Sequence, residues 1–247
     1  MSAIFVGNDV VDLGEPRTEG RAADDRFVDR VFDPEERVAI RGASDGDLEL
    51  WARWAAKETG FKVISKLLGA PPLFVHRAFK VEWTDTVDPE ESDASAVVRR
   101  GRVTYEGLEA RVVVRLCPGA VHAVGFGAPG GPPERVSLHR HLAPLDDPDR
   151  PWAGPLEALE MQLSERERDA VYSLHSAAVR LGARADLARA LAVGEERLEI
   201  VCDPGPTGQR PPRVFLDGER AAADVSLSHD GRWIAWVLWT DHQTENR

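Results

Sequence analysis

The chain has 247 residues, 43% of them hydrophobic and 30% charged, enough for one large domain or two smaller lobes and too apolar for wholesale disorder. Forty-two acids against 31 bases give a net charge of −11, which argues against a nucleic-acid partner, because neutralising phosphates needs a basic face. No apolar run approaches the roughly 20 residues of a membrane-spanning helix, and Cys117 and Cys202 stand far apart in no metal-ligand spacing. The N-terminus lacks the basic region of a signal peptide, so a protein of the reducing cytoplasm with no membrane partner is expected.

In chain order, residues 3–13 read as a strand and 22–31 as a short helix. Asp33-Pro34-Glu35-Glu36 starts a second helix with proline at its first position. A long amphipathic helix is predicted over 47–68, followed by strands at 73–83, 97–105, 109–116 and 120–126. Thr84–Ala96 is an acidic loop, and residues 128–155, with seven prolines, read as a linker. A second helical section runs with a break from 163 to 193. Strands near 197–202, 212–216 and 224–229 then lead through an Asp230-Gly231 turn into 232–239. Phe32–Arg37 resembles Leu163–Arg168, and each half ends on an apolar strand. The expectation is an α+β fold of two similar lobes, 1–127 and 156–247, packed as an intramolecular pseudo-dimer.

Three constellations carry chemistry. Of the 31 bases only four are lysines, and Lys57, Lys62 and Lys66 fall within ten residues. On the 47–68 helix Glu58 and Lys62 are four apart and close enough to meet, which is either a surface ion pair or part of a site. Lys57 falls on the apolar arc, where an ammonium needs a partner or a wet cavity. Asp9 interrupts an apolar strand and shares a face with Phe5, Gly7 and Val11. It is either a strand-end cap or a metal ligand, with Gly7 leaving room for something to approach. Ser228-His229 sits before a turn, and neighbours on a strand face opposite ways, so they are no nucleophile–base pair. Hydroxyl, imidazole and backbone N–H at such a strand end can converge on a phosphate, or make a polar turn and nothing more. Two other signals fail: prolines after Gly125-Phe-Gly127-Ala-Pro-Gly130 forbid the helix a dinucleotide motif requires, and His139-Arg-His141 has no third ligand nearby.

GNDVVDL (7–13), RFVDRVFDPEER (26–37), WAAKETGFK (54–62) and VSLSHDG (225–231) together resemble the 4′-phosphopantetheinyl transferases. The family pairs G-x-D on a strand with W/F-x-x-K-E-x-x-x-K on a helix, matched here by Gly7/Asp9 and Trp54/Lys57/Glu58/Lys62. The halves stand in the reverse of the surfactin-synthetase order, and the Asp9–Asp12 spacing is closer to the small holo-acyl-carrier-protein synthases. The resemblance implies transfer of phosphopantetheine from coenzyme A to a serine of an apo acyl or peptidyl carrier protein, with Mg²⁺ and release of adenosine 3′,5′-bisphosphate, by a monomer. It implies Asp9 and Glu58 as metal ligands, with Asp12 direct or through water. Glu58, or a water it orients, would take the serine proton. Lys62 would neutralise the pyrophosphate and Lys57 would brace Glu58 or the phosphate. Ser228 and His229 would hold the nucleotide end with Arg210, which replaces the family's G-K-P lysine, and His175, which replaces a phosphate-binding arginine. Gly14–Val31 would meet the carrier. The competing readings are a silent CoA- or carrier-binding protein and a Mg²⁺-dependent nucleotide hydrolase, the latter lacking a phosphate loop.

Overall fold

The computed structural model describes residues 3–84, 97–150, 152–205 and 208–241. The first half runs β1 (Phe5–Asp12), α1 (Asp25–Val31), α2 (Pro34–Gly42), α3 (Gly46–Leu67), β2 (Lys80–Thr84), β3 (Val97–Tyr105), β4 (Leu108–Cys117) and β5 (Ala120–Gly127). Its helices begin where side chains accept the first free N–H groups: Asp24 caps α1, Asp33 and Glu36 form a capping box on α2, and Asp45 caps α3. The strands form one antiparallel sheet ordered β1-β5-β4-β3-β2, and α3 lies across it over a core that includes Leu50, Trp51, Ile64, Phe79 and Val114. Glycines set how close the helix comes. A Cβ on Gly7 would lie 2.5 Å from the Thr59 carbonyl and 2.9 Å from Val63, and one on Gly125 or Gly127 would lie 2.8 Å from Thr59 or Val63. The room left by Gly7 is therefore filled by α3, and the glycines of 125–130 that mimic a dinucleotide motif are packing positions.

The second half runs β6 (His139–Pro144), α4 (Leu156–Glu160), α5 (Glu165–Arg168), α6 (Leu174–Leu191), β7 (Leu198–Val201), a short ribbon of β8 (Pro204–Gly205) and β9 (Gly208–Gln209), β10 (Arg213–Leu216), β11 (Glu219–Arg220), β12 (Ala223–Asp230) and β13 (Trp233–Thr240). Two differences from the sequence reading stand out. The span 73–83 is a strand only from Lys80, because a 3-10 turn at His76–Ala78 intervenes. The stretch read as a linker contributes β6, which pairs with β13 from Trp233 to Leu238. It is an edge strand ending at Pro144, where proline costs no ladder bond. The acidic segment 85–96 lies outside the described residues.

The second half repeats the first. Its sheets are ordered β12-β13-β6 and β11-β10-β7, and β10 packs against β12, so β6-β13-β12-β10-β7 retraces β1-β5-β4-β3-β2 in chain order as well as in space. A polar device is repeated too. Glu36 closes its capping box, accepts the Val81 N–H and pairs with Lys57 at 2.7 Å. Glu167 closes its own, accepts the Ile200 N–H and pairs with Arg184 at 2.9 Å.

The halves meet along β1. Its even-numbered N–H groups point away from β5, and side chains of β12 accept them one by one. Val6 donates to Asp224 Oδ2 (2.7 Å), Asn8 to Ser226 Oγ (3.0 Å), Val10 to Ser228 Oγ (3.3 Å) and Asp12 to Asp230 Oδ2 (2.9 Å). Lys66 crosses the same seam, donating to the Val6 carbonyl, Asp224 Oδ2 and the Val225 carbonyl at 2.7–2.8 Å. Among the described residues no helix is long and apolar enough to cross a membrane. Asp224→Ala should therefore cost about 3–5 kcal/mol in urea unfolding, because it strands the buried Lys66 ammonium as well as one N–H of β1.

Candidate active site

A cleft of about 470 Å³ opens between the halves. β1 and α3 bring Asp9, Phe61, Lys62 and Lys66 to one wall, and β12 and α6 bring Ser228, His229, Ser176 and Arg180 to the other, with Arg210 from the loop before β10. Sequence neighbours on β12 do part as expected. Ser228 turns to the seam, while His229 stands by Tyr172 and His175, with ring centroids 6.3 and 5.3 Å away.

Asp9 is the electrostatic centre. Its Oδ1 takes the Ser228 hydroxyl at 3.1 Å and lies 3.3 Å from Lys62 Nζ, which also donates to the Asn8 carbonyl at 2.6 Å. Burial, reinforced by the Glu58 charge, lifts its carboxyl to about 7 against the opposing pull of Lys62 and the Ser228 hydrogen bond. A buried carboxyl that also feels a second negative charge is what a cation relieves. Among the described residues no three His, Cys, Asp or Glu side chains cluster to hold a metal. Asp9 lines the cleft, and Glu58 acts on it through its charge, so the donors present number at most the one or two carboxylates that Mg²⁺ takes where waters and substrate phosphates supply the rest.

The remaining residues divide. Lys62 turns from Glu58 to β1, and Glu58 Oε1 instead lies 3.4 Å from His76 Nε2. Lys57 is fully buried; its ammonium pairs with Glu36 and donates to the carbonyls of His76 and Phe79. Its counterpart in the other half is Arg184, which pairs with Glu167; Lys57 thus secures the turn that carries His76 and does not line the cleft. Asp12 faces the opposite side of β1 from Asp9, and its oxygens accept the N–H groups of Gly14 and Arg232 at 2.9 Å. It does not join Asp9 and Glu58. Ser228 is occupied by the Val10 N–H and Asp9, so it holds the carboxylate from the second half. His175 sits behind His229, its Nε2 2.7 Å from the Gly231 carbonyl.

Sequence reasoning overlooked Arg180. It is buried on α6 with Nη1 on the Ser176 carbonyl and Nη2 3.5 Å from Cys202 Sγ, while its Nε has no partner. Among the described residues no carboxylate pairs with it. Its signal was an arginine flanked by Val179 and Leu181 in an otherwise apolar stretch of the helix, Ala177–Ala183. Burial, then His175, holds the His229 imidazole below its ordinary range, so this wall carries the permanent cations Arg180 and Arg210 and one more, His229, that an anion would recruit.

Residues 5–107 match the family model described as ACPS, the 4′-phosphopantetheinyl transferase superfamily. No curated protein matches the chain. The matched span contains β1 and α3, and with them Asp9, Glu58 and Lys62.

Because the folded state holds a proton on Asp9 that the unfolded chain releases near 3.8, metal-free stability should fall as pH rises from about 4 through about 7. The slope should not exceed about 1.4 kcal/mol per pH unit. Asp9→Asn should flatten the dependence in that window, as followed by urea midpoints.

Proposed function

We propose that this chain, whose residues 5–107 match the 4′-phosphopantetheinyl transferase superfamily, transfers the phosphopantetheine of coenzyme A to a serine of an apo acyl or peptidyl carrier protein, with Mg²⁺. The observation that carries the reading is the placing of Asp9, its partner Lys62 and the cationic His229–Arg180 wall on one cleft, which suits a ligand with a pyrophosphate at one end and a further phosphate at the other.

The chemistry follows from the groups present. The serine oxygen bonds to the phosphorus that carries pantetheine, and the bond to the bridging oxygen breaks, releasing adenosine 3′,5′-bisphosphate. Mg²⁺ held by Asp9 and Glu58 would supply charge neutralisation on the pyrophosphate. Lys62, fixed by the Asn8 carbonyl, adds a positive charge beside the bond that breaks. Glu58, whose carboxylate is not committed to Lys62, or a water it orients, takes the serine proton. Ser228 keeps Asp9 in place. Arg180, Arg210 and His229 take the nucleotide and its 3′-phosphate, with His175 supporting His229. The segment 14–31, which borders β1, offers the surface for the carrier. One copy contains both walls of the cleft, so a monomer suffices.

Intact mass of an apo carrier protein incubated with CoA, Mg²⁺ and the enzyme should rise by one phosphopantetheine. Glu58→Ala, or EDTA with the wild-type enzyme, should abolish the rise while the fold persists. Normal turnover by Glu58→Ala with Mg²⁺ present would remove the metal assignment, and no transfer by the wild type to any carrier would leave the CoA-binding alternative. A separate comparison isolates the nucleotide end. His229→Ala should raise the KM for CoA by about 10–100-fold, as expected for a lost hydrogen bond to a charged group, and that for 3′-dephospho-CoA far less.

A further inference from the structure

Asp12 is 3% exposed and grips both sides of the turn between β12 and β13. Its own N–H donates to Asp230 Oδ2 just before the turn, and its Oδ2 accepts the N–H of Arg232, the second residue of the turn, both at 2.9 Å. Oδ1 is held by the Gly14 N–H, and Asp230 is in turn paired with Arg17, so the whole grip is made by the first half on the second. Gly231, between the two contacts, has φ +51°, and a Cβ there would run into the Asp12 carboxylate. Turn and carboxylate are thus fitted to each other. On its far side the turn offers the Gly231 carbonyl to His175 Nε2 at 2.7 Å. The His175 ring lies 5.3 Å from that of His229, which lines the cleft.

We propose that Asp12 is a positioning residue for the nucleotide end of the cleft, acting across the seam through Gly231 and His175 on His229. The kinetic part of this proposal rests on the transferase reading; the geometric part does not. The role differs from that of a metal ligand in what it controls. A carboxylate that holds the metal sets kcat and the Mg²⁺ requirement, whereas one that holds the turn sets the affinity for the nucleotide.

Two variants of the full-length chain separate these. Asp12→Asn keeps the size and one acceptor but sets an amide NH₂ against one of the two N–H groups, of Gly14 or Arg232, that the carboxylate holds together. Gly231→Ala breaks the same fit from the turn and leaves Asp12 intact. Both should raise the KM for CoA about tenfold, with kcat and the Mg²⁺ concentration for half-activity within about twofold of wild type. Both should affect 3′-dephospho-CoA much less. In the ligand-free proteins both should also shift the imidazole NMR resonances of His175 and His229. A fall in kcat with a raised Mg²⁺ requirement in Asp12→Asn alone would make Asp12 a metal ligand and overturn the proposal. Unmoved histidine resonances in either variant would overturn it equally. Should the wild type transfer nothing, the transferase reading fails, and the histidine resonances still decide whether Asp12 positions the turn.

Discussion

A strand at the rim of a sheet has N–H groups that no neighbour accepts, and burying them unpaired costs roughly 1–3 kcal/mol each. β1 is such a strand, and its four outward N–H groups are met by side-chain oxygens, spaced two residues apart on β12, instead of by another backbone. Everything near the cleft depends on that ladder. It fixes β12 in register with β1 and sets the Ser228 hydroxyl on Asp9. It also brings the β12–β13 turn, with His229 just before it, to the end of the strand that holds the carboxylate. The seam and the site are one set of contacts read from two directions.

The repeated topology explains why residues of one motif serve different ends. Matching the buried pairs Glu36–Lys57 and Glu167–Arg184 offsets the two long helices by 127 residues, since 184 less 57 is 127. By that count Glu58 corresponds to Ala185 and Lys62 to Arg189, so the second half lacks the carboxylate of the first. Lys57 belongs to the repeated scaffold and Glu58 to the diverged surface, although they are adjacent in sequence. Burial of an ammonium is tolerable at Lys57 because a carboxylate and two carbonyls meet it.

Much of this was legible in the sequence because it rests on local periodicity. The capping signal at Asp33-Pro34, the length of α3, the parity of Asp9 with Gly7 and the Asp230-Gly231 hairpin all follow from spacing. What was not legible depends on distant partners. Nothing local in 139–144 announces a strand, since its order comes from pairing with residues nearly a hundred positions later. The spacing of Glu58 and Lys62 permitted an ion pair that the Asn8 carbonyl and Asp9 out-compete. Asp12 carried a ligand's chemistry, but strand alternation sent it to the other face and gave it the Gly14 and Arg232 amides.

The seam has a consequence in mass action. A cleft whose two walls come from separate molecules loses its population on dilution, and its apparent stability varies with protein concentration. Here Asp9 and His229 stand on one polypeptide, so each wall meets the other at an effective concentration set by the intervening chain, on the millimolar scale for short connections. Occupancy of the assembled cleft is then independent of how many copies are present. Freed from matching itself, each half can change alone, and only the residues of the ladder must still vary in step.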